Sequence, residues 1–502
     1  MIRHLPKFSR VALVALAWLA LPAVASAHQL TSRYESPIPL AGYVAGAAIA
    51  VALSFALVIG RNVGDGAVVE RPGARSVVVP RWLRLLLRAV GLVAWLLIVV
   101  QVLSGAPNGD ADAGSLFVWL FGWVAVALVS ALIFPIWRWL DPFTTLFDLG
   151  TAVMRRLGIR GASSLPYPTG LGLWPAVVGL VLVAWFELVV PQTRGGRPLG
   201  LVVIAYSGIT LLLMSQFGRD AWRDRGETFS VWFGTLNRLA AIAPDPAAPD
   251  ERVLVRRYAS GLDVADWTID RTVLVAVATA SVIYDGLSQT QAFAGWFGTP
   301  GIGEATVLLL LFVGLLAAAA YAVARLVGPR SLGAGLVPIA TGYLIAHYLT
   351  FLLFTSPRIV NVASDPLAVG GNLLGIPPFE PSADWLPPAV AWGIQLAAIV
   401  GGHIVGAVVG HRAALHEAAA PVSGGRRRGR QGREGRAPAV GVGTGAAIRD
   451  ARVRQVPLAV LMVGLTSLTL WSLGQVIVQP PPETTGAAGA ITASVGGPVQ
   501  GP

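Results

Sequence analysis

The sequence predicts an all-α protein, a polytopic transmembrane helical bundle of about ten spans behind a cleaved signal peptide. Three observations predict it. Hydrophobic residues make up 55% of the 502 and charged residues 13%, with a mean hydropathy of +0.67, well away from the balance of soluble domains. The apolar residues gather in runs of about twenty, the length at which a helix crosses ~30 Å of hydrocarbon. The basic residues fall between those runs rather than within them.

Residues 1–27 read as the signal peptide. Arg3, Lys7 and Arg10 precede the apolar stretch Val11–Val24, and Ala25-Ser26-Ala27 supplies an A-x-A cleavage site. Cleavage leaves His28 first, either as the residue that happens to follow the cut or as a bidentate metal chelate through its amine and imidazole. The helical membrane domain is expected over 28–478. Its spans are Leu40–Gly60, Ala89–Ser104, Leu116–Trp137, Leu171–Val190, Leu199–Gln216, Thr272–Tyr284, Ala305–Ala324, Leu336–Phe354, Pro388–Gly410 and Pro457–Val478. Within it, 412–456 is expected as a basic, disordered cytoplasmic loop whose Arg426–Arg436 run stays near anionic lipid. The tail 479–502, rich in Pro, Gly, Ala and Thr, is expected to be disordered outside.

Orientation follows from charge. Thirty of the 37 lysines and arginines fall in loops 61–88, 138–160, 219–271, 325–330 and 412–454, which alternation places in the cytoplasm; Arg33, Arg194, Arg197 and Arg358 alone fall opposite. The net charge of +11 is therefore topogenic, and no nucleic-acid partner is expected. Arg81, Arg84 and Arg88 share one face of a helix entering the second span. Gly218–Leu239 mixes arginines with Trp222, Phe229, Trp232 and Phe233, and both stretches are read as headgroup anchors. Prolines 135, 175 and 338 fall inside spans, where they can break helices as transporters do.

Ionisable residues within spans mark function by default. Glu187 lies near the outer end of the fourth span, Asp285 caps the sixth, Glu304 begins the seventh, His347 is inside the eighth and His403 inside the ninth; Asp365 lies in the outer loop between those two. At 1.5 Å per residue, His347 is ~10 Å below the outer surface and His403 ~10 Å above the inner one. His28, Glu187, Asp285, His347 and Asp365 are thus compatible with one outward-facing site. His403 is a possible ligand but reads better as structural, since Ala398, Gly402, Gly406 and Gly410 recur every four residues, a helix-packing pattern. Plainer readings stand beside these: a histidine hydrogen-bonding a neighbouring helix, carboxylates reaching water, and Asp365-Pro366 as a loop turn.

The absence of cysteine excludes disulfides and thiolate sites, and Lys7 is the sole lysine, so the mature chain has no Schiff-base residue. No H-E-x-x-H, G-x-S-x-G or Walker loop occurs. Histidines with carboxylates suit a divalent metal such as Zn, Mn or Cu, which lowers the pKa of bound water toward ~7.

Several strings carry a resemblance: Ala27-His28-Gln29-Leu30 with Pro37-Ile38-Pro39, Asp141-Pro142-Phe143, Trp174-Pro175-Ala176, Trp185-Phe186-Glu187-Leu188 and Arg225-Gly226-Glu227-Thr228-Phe229-Ser230-Val231. Asp285-Gly286-Leu287-Ser288, Ala346-His347-Tyr348, Ser364-Asp365-Pro366-Leu367, Gly402-His403-Ile404 and Thr466-Ser467 before Leu470-Trp471 follow in order. Together they resemble bacterial multi-pass membrane proteins labelled fenitrothion hydrolase, over nearly the whole mature chain. The resemblance implies hydrolysis of the P–O-aryl bond of organophosphorus triesters. The His-x-His motif of the soluble barrel phosphotriesterases is missing, so their mechanism does not transfer.

The expectation is a membrane-embedded organophosphorus hydrolase in a bacterial cytoplasmic membrane, acting on lipophilic small molecules and bounded by membrane lipids. His347 and Asp365 are the expected metal ligands, with His28 a weaker third, and Asp285 or Glu187 the general base. The competing classes are a non-enzymatic copper-handling or transport protein using His28 and the intramembrane histidines, and a structural subunit.

Overall fold

Each apolar run becomes a helix, because a chain away from water must satisfy its backbone N–H and C=O groups internally. The computed structural model describes residues 39–60, 74–104, 111–159, 164–263, 266–380, 385–419 and 455–475. The signal peptide, His28, the Arg426–Arg436 run and the tail lie outside the described residues. Eight described helices are long and apolar enough to cross a membrane. In chain order the elements are α1 (Leu40–Gly60), β1 (Arg75–Val78), α2 (Arg81–Ser104), α3 (Ser115–Leu132), α4 (Pro142–Arg156), α5 (Trp174–Leu188) and α6 (Gly196–Phe217). Then come α7 (Arg219–Arg225), α8 (Thr228–Leu236), β2 (Ile242–Pro244), β3 (Arg252–Val255), α9 (Ile269–Ser288), α10 (Ile302–Val327), α11 (Pro329–Thr355), α12 (Pro388–Ala419) and α13 (Val456–Leu473). Apolar stretches of α1 and α5 fall short of the other eight and stand at the positions of the expected first and fourth spans.

Local chemistry moves several boundaries. The third span stops at Leu132 because Pro135 cannot continue the helix; a separate turn, Trp137–Leu140, follows. The fourth starts only at Trp174, after Gly172 with φ +48°, and Pro175 sits in its first turn, where a missing N–H costs nothing. Pro338 lies inside α11 without interrupting it. Of the three prolines, only Pro135 separates two helices.

α9 is the hub. Thr272 to Asp285 are all buried, with α5, α10 and α11 packed around them. α11 and α12 cross on glycine. A methyl on Gly402 would lie 2.7 Å from the Pro338 carbonyl oxygen, and one on Gly342 would strike the Ala398 carbonyl. The every-fourth-residue pattern therefore reports a backbone-to-backbone crossing. His411 Nδ1 lies 2.7 Å from the Gln455 side-chain oxygen and ties α12 to the start of α13.

The anchor reading of Gly218–Leu239 is corrected. Trp222, Trp232, Phe233 and Leu236 are buried inside the protein, and Thr228 fills the space that Gly179 of α5 leaves open. Three of its four arginines find carboxylates within the protein, Arg219 and Arg223 at Asp250 and Arg238 at Asp266. Asp250 pairs with Arg138 (2.9 Å), Arg219 (3.2 Å) and Arg223 (3.2 Å). Above this latch β1, β3 and β2 form a small antiparallel sheet, Arg75 opposite Val255 and Ile242 opposite the same residue. Such pairing requires loops 61–88 and 219–271 at one end of the bundle, in keeping with their shared side in the charge pattern.

Burial pushes the Asp250 carboxyl up, but Arg223, Arg138 and Arg219 outweigh it and hold it below its ordinary 3.8. A depressed carboxyl contributes stability that is present in full above the ordinary value and lost as pH falls through it toward the folded value. Asp250→Asn is therefore expected to lower the melting temperature at pH 7 and to lower it by less near pH 3. Equal differences at both pH values would contradict the latch.

Candidate functional site

Asp285 lies in the last turn of α9, and His347 and Tyr348 are consecutive on α11. Consecutive helical residues point ~100° apart, so the two side chains form a fork, and one oxygen of Asp285 sits within it. Oδ2 is 2.8 Å from His347 Nε2 and accepts the Tyr348 hydroxyl at 3.1 Å; Oδ1 accepts the Gln289 amide, one turn on, at 2.7 Å. Tyr348 accepts in turn from Trp123 Nε1 at 3.4 Å. Trp123 stands on Ser115–Ala125, the first part of α3, which winds as a π-helix, an uncommon geometry that recurs at functional sites.

With Asp285 as the acceptor, Nε2 of a neutral His347 carries the proton and Nδ1 is left with a bare lone pair. The His347 side chain is 7% exposed, and no described group partners Nδ1. Tyr343, one turn earlier on α11, lies with its ring centre 5.9 Å from that of the imidazole, tilted by 31°, and leaves its own buried hydroxyl without a partner among the described residues. Both orphan groups border Gly286: a methyl there would lie 3.2 Å from Tyr343 Oη and 3.4 Å from His347 Nδ1. Glycine inside a helix weakens it, so its place here is best explained by the space it leaves. Gly286→Ala is expected to fill this space while melting no lower than wild type; a clearly lower melting temperature would show that the space cannot take a methyl.

Glu187, near the end of α5, comes within electrostatic range of both Asp285 and Tyr348. Its carboxylate takes no hydrogen bond from a described residue. Three of the predicted site residues, Glu187, Asp285 and His347, are thus brought together from three helices.

The others are not. Asp365 accepts the backbone N–H groups of Val369 (3.1 Å) and Gly370 (2.7 Å), a turn within its own loop. His403 bonds its ring Nδ1 to the Ile399 carbonyl of its own helix at 2.8 Å, buried on the glycine crossing. Glu304 caps α10 through the Gly301 N–H at 3.2 Å. His28 lies outside the described residues. Among the described residues no three histidine or carboxylate side chains gather as a metal set. The expected set of His347 and Asp365 is not assembled, because one is turned to α9 and the other is occupied by its loop.

Sequence reasoning misses Tyr348, Gln289, Tyr343 and Trp123. Spacing holds a signal for two of them: Gln289 stands four residues after Asp285 and Tyr348 is next to His347, polar tips beside an intramembrane acid and base.

Fold and site define a class, a helical membrane protein with a carboxylate–imidazole pair buried between spans. Comparisons with protein-family models, curated proteins and solved structures find no match.

Proposed function

We propose that the chain is a membrane-embedded hydrolase of lipophilic organophosphorus triesters of the fenitrothion type, in which the Asp285–His347 pair activates water. The observation that carries this is the unpartnered Nδ1 of His347, its ring fixed through Nε2 by Asp285 at 2.8 Å. In this reading water oxygen bonds to phosphorus while its proton passes to Nδ1, and Asp285 steadies the resulting imidazolium. The P–O-aryl bond breaks and the electron pair leaves on the nitrophenolate, a leaving group that needs no proton. Tyr343 Oη, the second unpartnered group beside Gly286, would donate a hydrogen bond to the phosphoryl oxygen or sulfur as charge builds there.

Two further features support the substrate class. One is the resemblance described above. The other is an apolar cavity of about 750 Å³, lined by Trp95, Phe117, Trp119, Phe186 and Phe229 among others, large enough for a lipophilic ester. Trp119 and Phe186 stand four residues and one residue from Trp123 and Glu187. The expected setting is a bacterial cytoplasmic membrane with the pair in its outer half and both termini outside.

His347 Nδ1 is also a vacant donor for Zn, Mn or Cu, with Asp285 behind it as such ligands require, but Asp365 does not complete the set. Turnover by the protonic route is expected to survive exhaustive chelation. Loss restored by added metal would instead make His347 a ligand.

The direct test is nitrophenol release from fenitrothion by membranes containing the protein, compared with membranes lacking it. No release from well-expressed protein would defeat the reading for this substrate. A second reading, ion or copper transport, is favoured by Glu187 and Asp285, two carboxylates on neighbouring spans within electrostatic range of each other; ion uptake by proteoliposomes without ester hydrolysis would support it.

A further inference from the structure

At the opposite end of α9, about 20 Å from Asp285 at 1.5 Å per residue, Arg271 stands in the helix's first turn. The position is electrostatically wrong for a cation, because a helix N-terminus carries partial positive charge. Asp266, Asp270 and Asp224 lie within electrostatic range, but none reaches Arg271 as an ion pair. Nη1 donates to the Thr235 hydroxyl at 3.0 Å, Nε is buried without a partner, and among the described residues no carboxylate lies within ion-pair distance.

Arg271 borders a cavity of about 260 Å³ where α3, α7, α8 and α9 meet. Arg138, Arg223 and Arg238 also line it. Their carboxylates are already engaged: Asp250 serves Arg138 and Arg223 as well as Arg219, and Asp266 serves Arg238 at 2.6 Å. Asp224 is the acid on the cavity wall; burial pushes its carboxyl up, and among the described residues it makes no ion pair. Ser130, 1% exposed and on the same wall, has a hydroxyl with no partner among the described residues. Trp137 and Phe233 supply apolar walls.

A half-buried guanidinium with a buried, unpartnered Nε and no carboxylate in contact is unfavourable. Here it shares a cavity with an orphan hydroxyl and three further arginines, at the end of the bundle where loops rich in arginine gather. We propose that this cavity binds a phosphate group, with Arg271 and Ser130 as its ligands. A tetrahedral oxyanion matches the guanidinium fork, answers the unpaired charge, and takes the Ser130 hydroxyl as a donor. The group can belong to an anionic lipid headgroup or to a soluble phosphate.

The test uses purified full-length protein, delipidated in detergent, with Arg271→Met and Ser130→Ala variants. Methionine keeps the apolar stem and removes the unpaired charge, so Arg271→Met is expected to melt at or above wild type without ligand. Inorganic phosphate at constant ionic strength is expected to raise the wild-type melting temperature, with an apparent affinity about tenfold or more weaker in Arg271→Met. In nanodiscs, native mass spectrometry compares retention of phosphatidylglycerol with that of phosphatidylcholine. A phosphate-induced shift lost in the variant supports a soluble source; selective phosphatidylglycerol retention lost in the variant, without a phosphate shift, supports a lipid source. If Arg271→Met does not fold, Ser130→Ala gives the same readings, its deletion touching no existing bond. No preference for either probe, or equal preference in wild type and variants, would overturn the proposal.

Discussion

Asp285→Asn and His347→Ala are each expected to lower nitrophenol release by about two to four orders of magnitude, the usual contribution of a positioned general base. The two act by different routes. His347→Ala removes the proton acceptor itself. Asp285→Asn preserves shape but offers an amide where Nε2–H now finds a carboxylate, so the imidazole loses the partner that fixes its tautomer. The double variant is expected to be no worse than the poorer single one, because the pair works as a unit. Membrane insertion is expected to be preserved in both, since neither change adds bulk and Tyr348 keeps its Trp123 bond at 3.4 Å. His347→Ala turning over at the wild-type rate would mean that the reacting centre lies elsewhere.

The second large effect concerns folding. Gly342→Leu or Gly402→Leu is expected to remove most of the correctly folded protein, read as the loss of a single symmetric peak in size exclusion of detergent extracts. A methyl at either position already meets a carbonyl of the facing helix. Backbone cannot step aside as a side chain can, so α11 and α12 would have to separate along their length. A cost of about 3 kcal/mol for such overpacking is a large share of the few kcal/mol by which most domains are stable. Gly401 supplies the control: beside Gly402, it points where an added methyl would meet nothing within 4 Å among the described residues. Gly401→Leu is expected to behave as wild type. If all three substitutions were tolerated alike, the close crossing would be refuted.

Apolar length was enough to place a helix at each expected stretch, eight of them long and apolar enough to cross a membrane. Of the five residues that estimated depth grouped, Asp285 and His347 are in contact and Glu187 lies within electrostatic range of Asp285. What depth cannot encode is azimuth. Asp365 and Asp285 lie at compatible heights relative to His347, yet only Asp285 is on a helix that packs against the imidazole, while Asp365 closes its own turn. Gly218–Leu239 misled for another reason. Arginine beside tryptophan reads as a headgroup anchor only when the charges have nowhere else to go, and here Asp250, contributed from beyond β2, gives two of them a partner. The strands left no trace, since three or four residues are too few to establish a period of two.

Those strands bear on how the protein is made. Arg75 cannot meet Val255 until the intervening chain, four apolar helices among it, has left the ribosome. At 5–20 residues per second that interval is on the order of ten to thirty seconds. Throughout it, β1 waits with unpaired backbone groups while α2, α3, α5 and α6 enter the bilayer. The edge it presents is short and begins with a charged residue, Arg75, features that discourage pairing with a neighbouring nascent chain. Closure of the sheet thus marks the moment at which the first half of the polypeptide is committed to its place, before α11 has been synthesised.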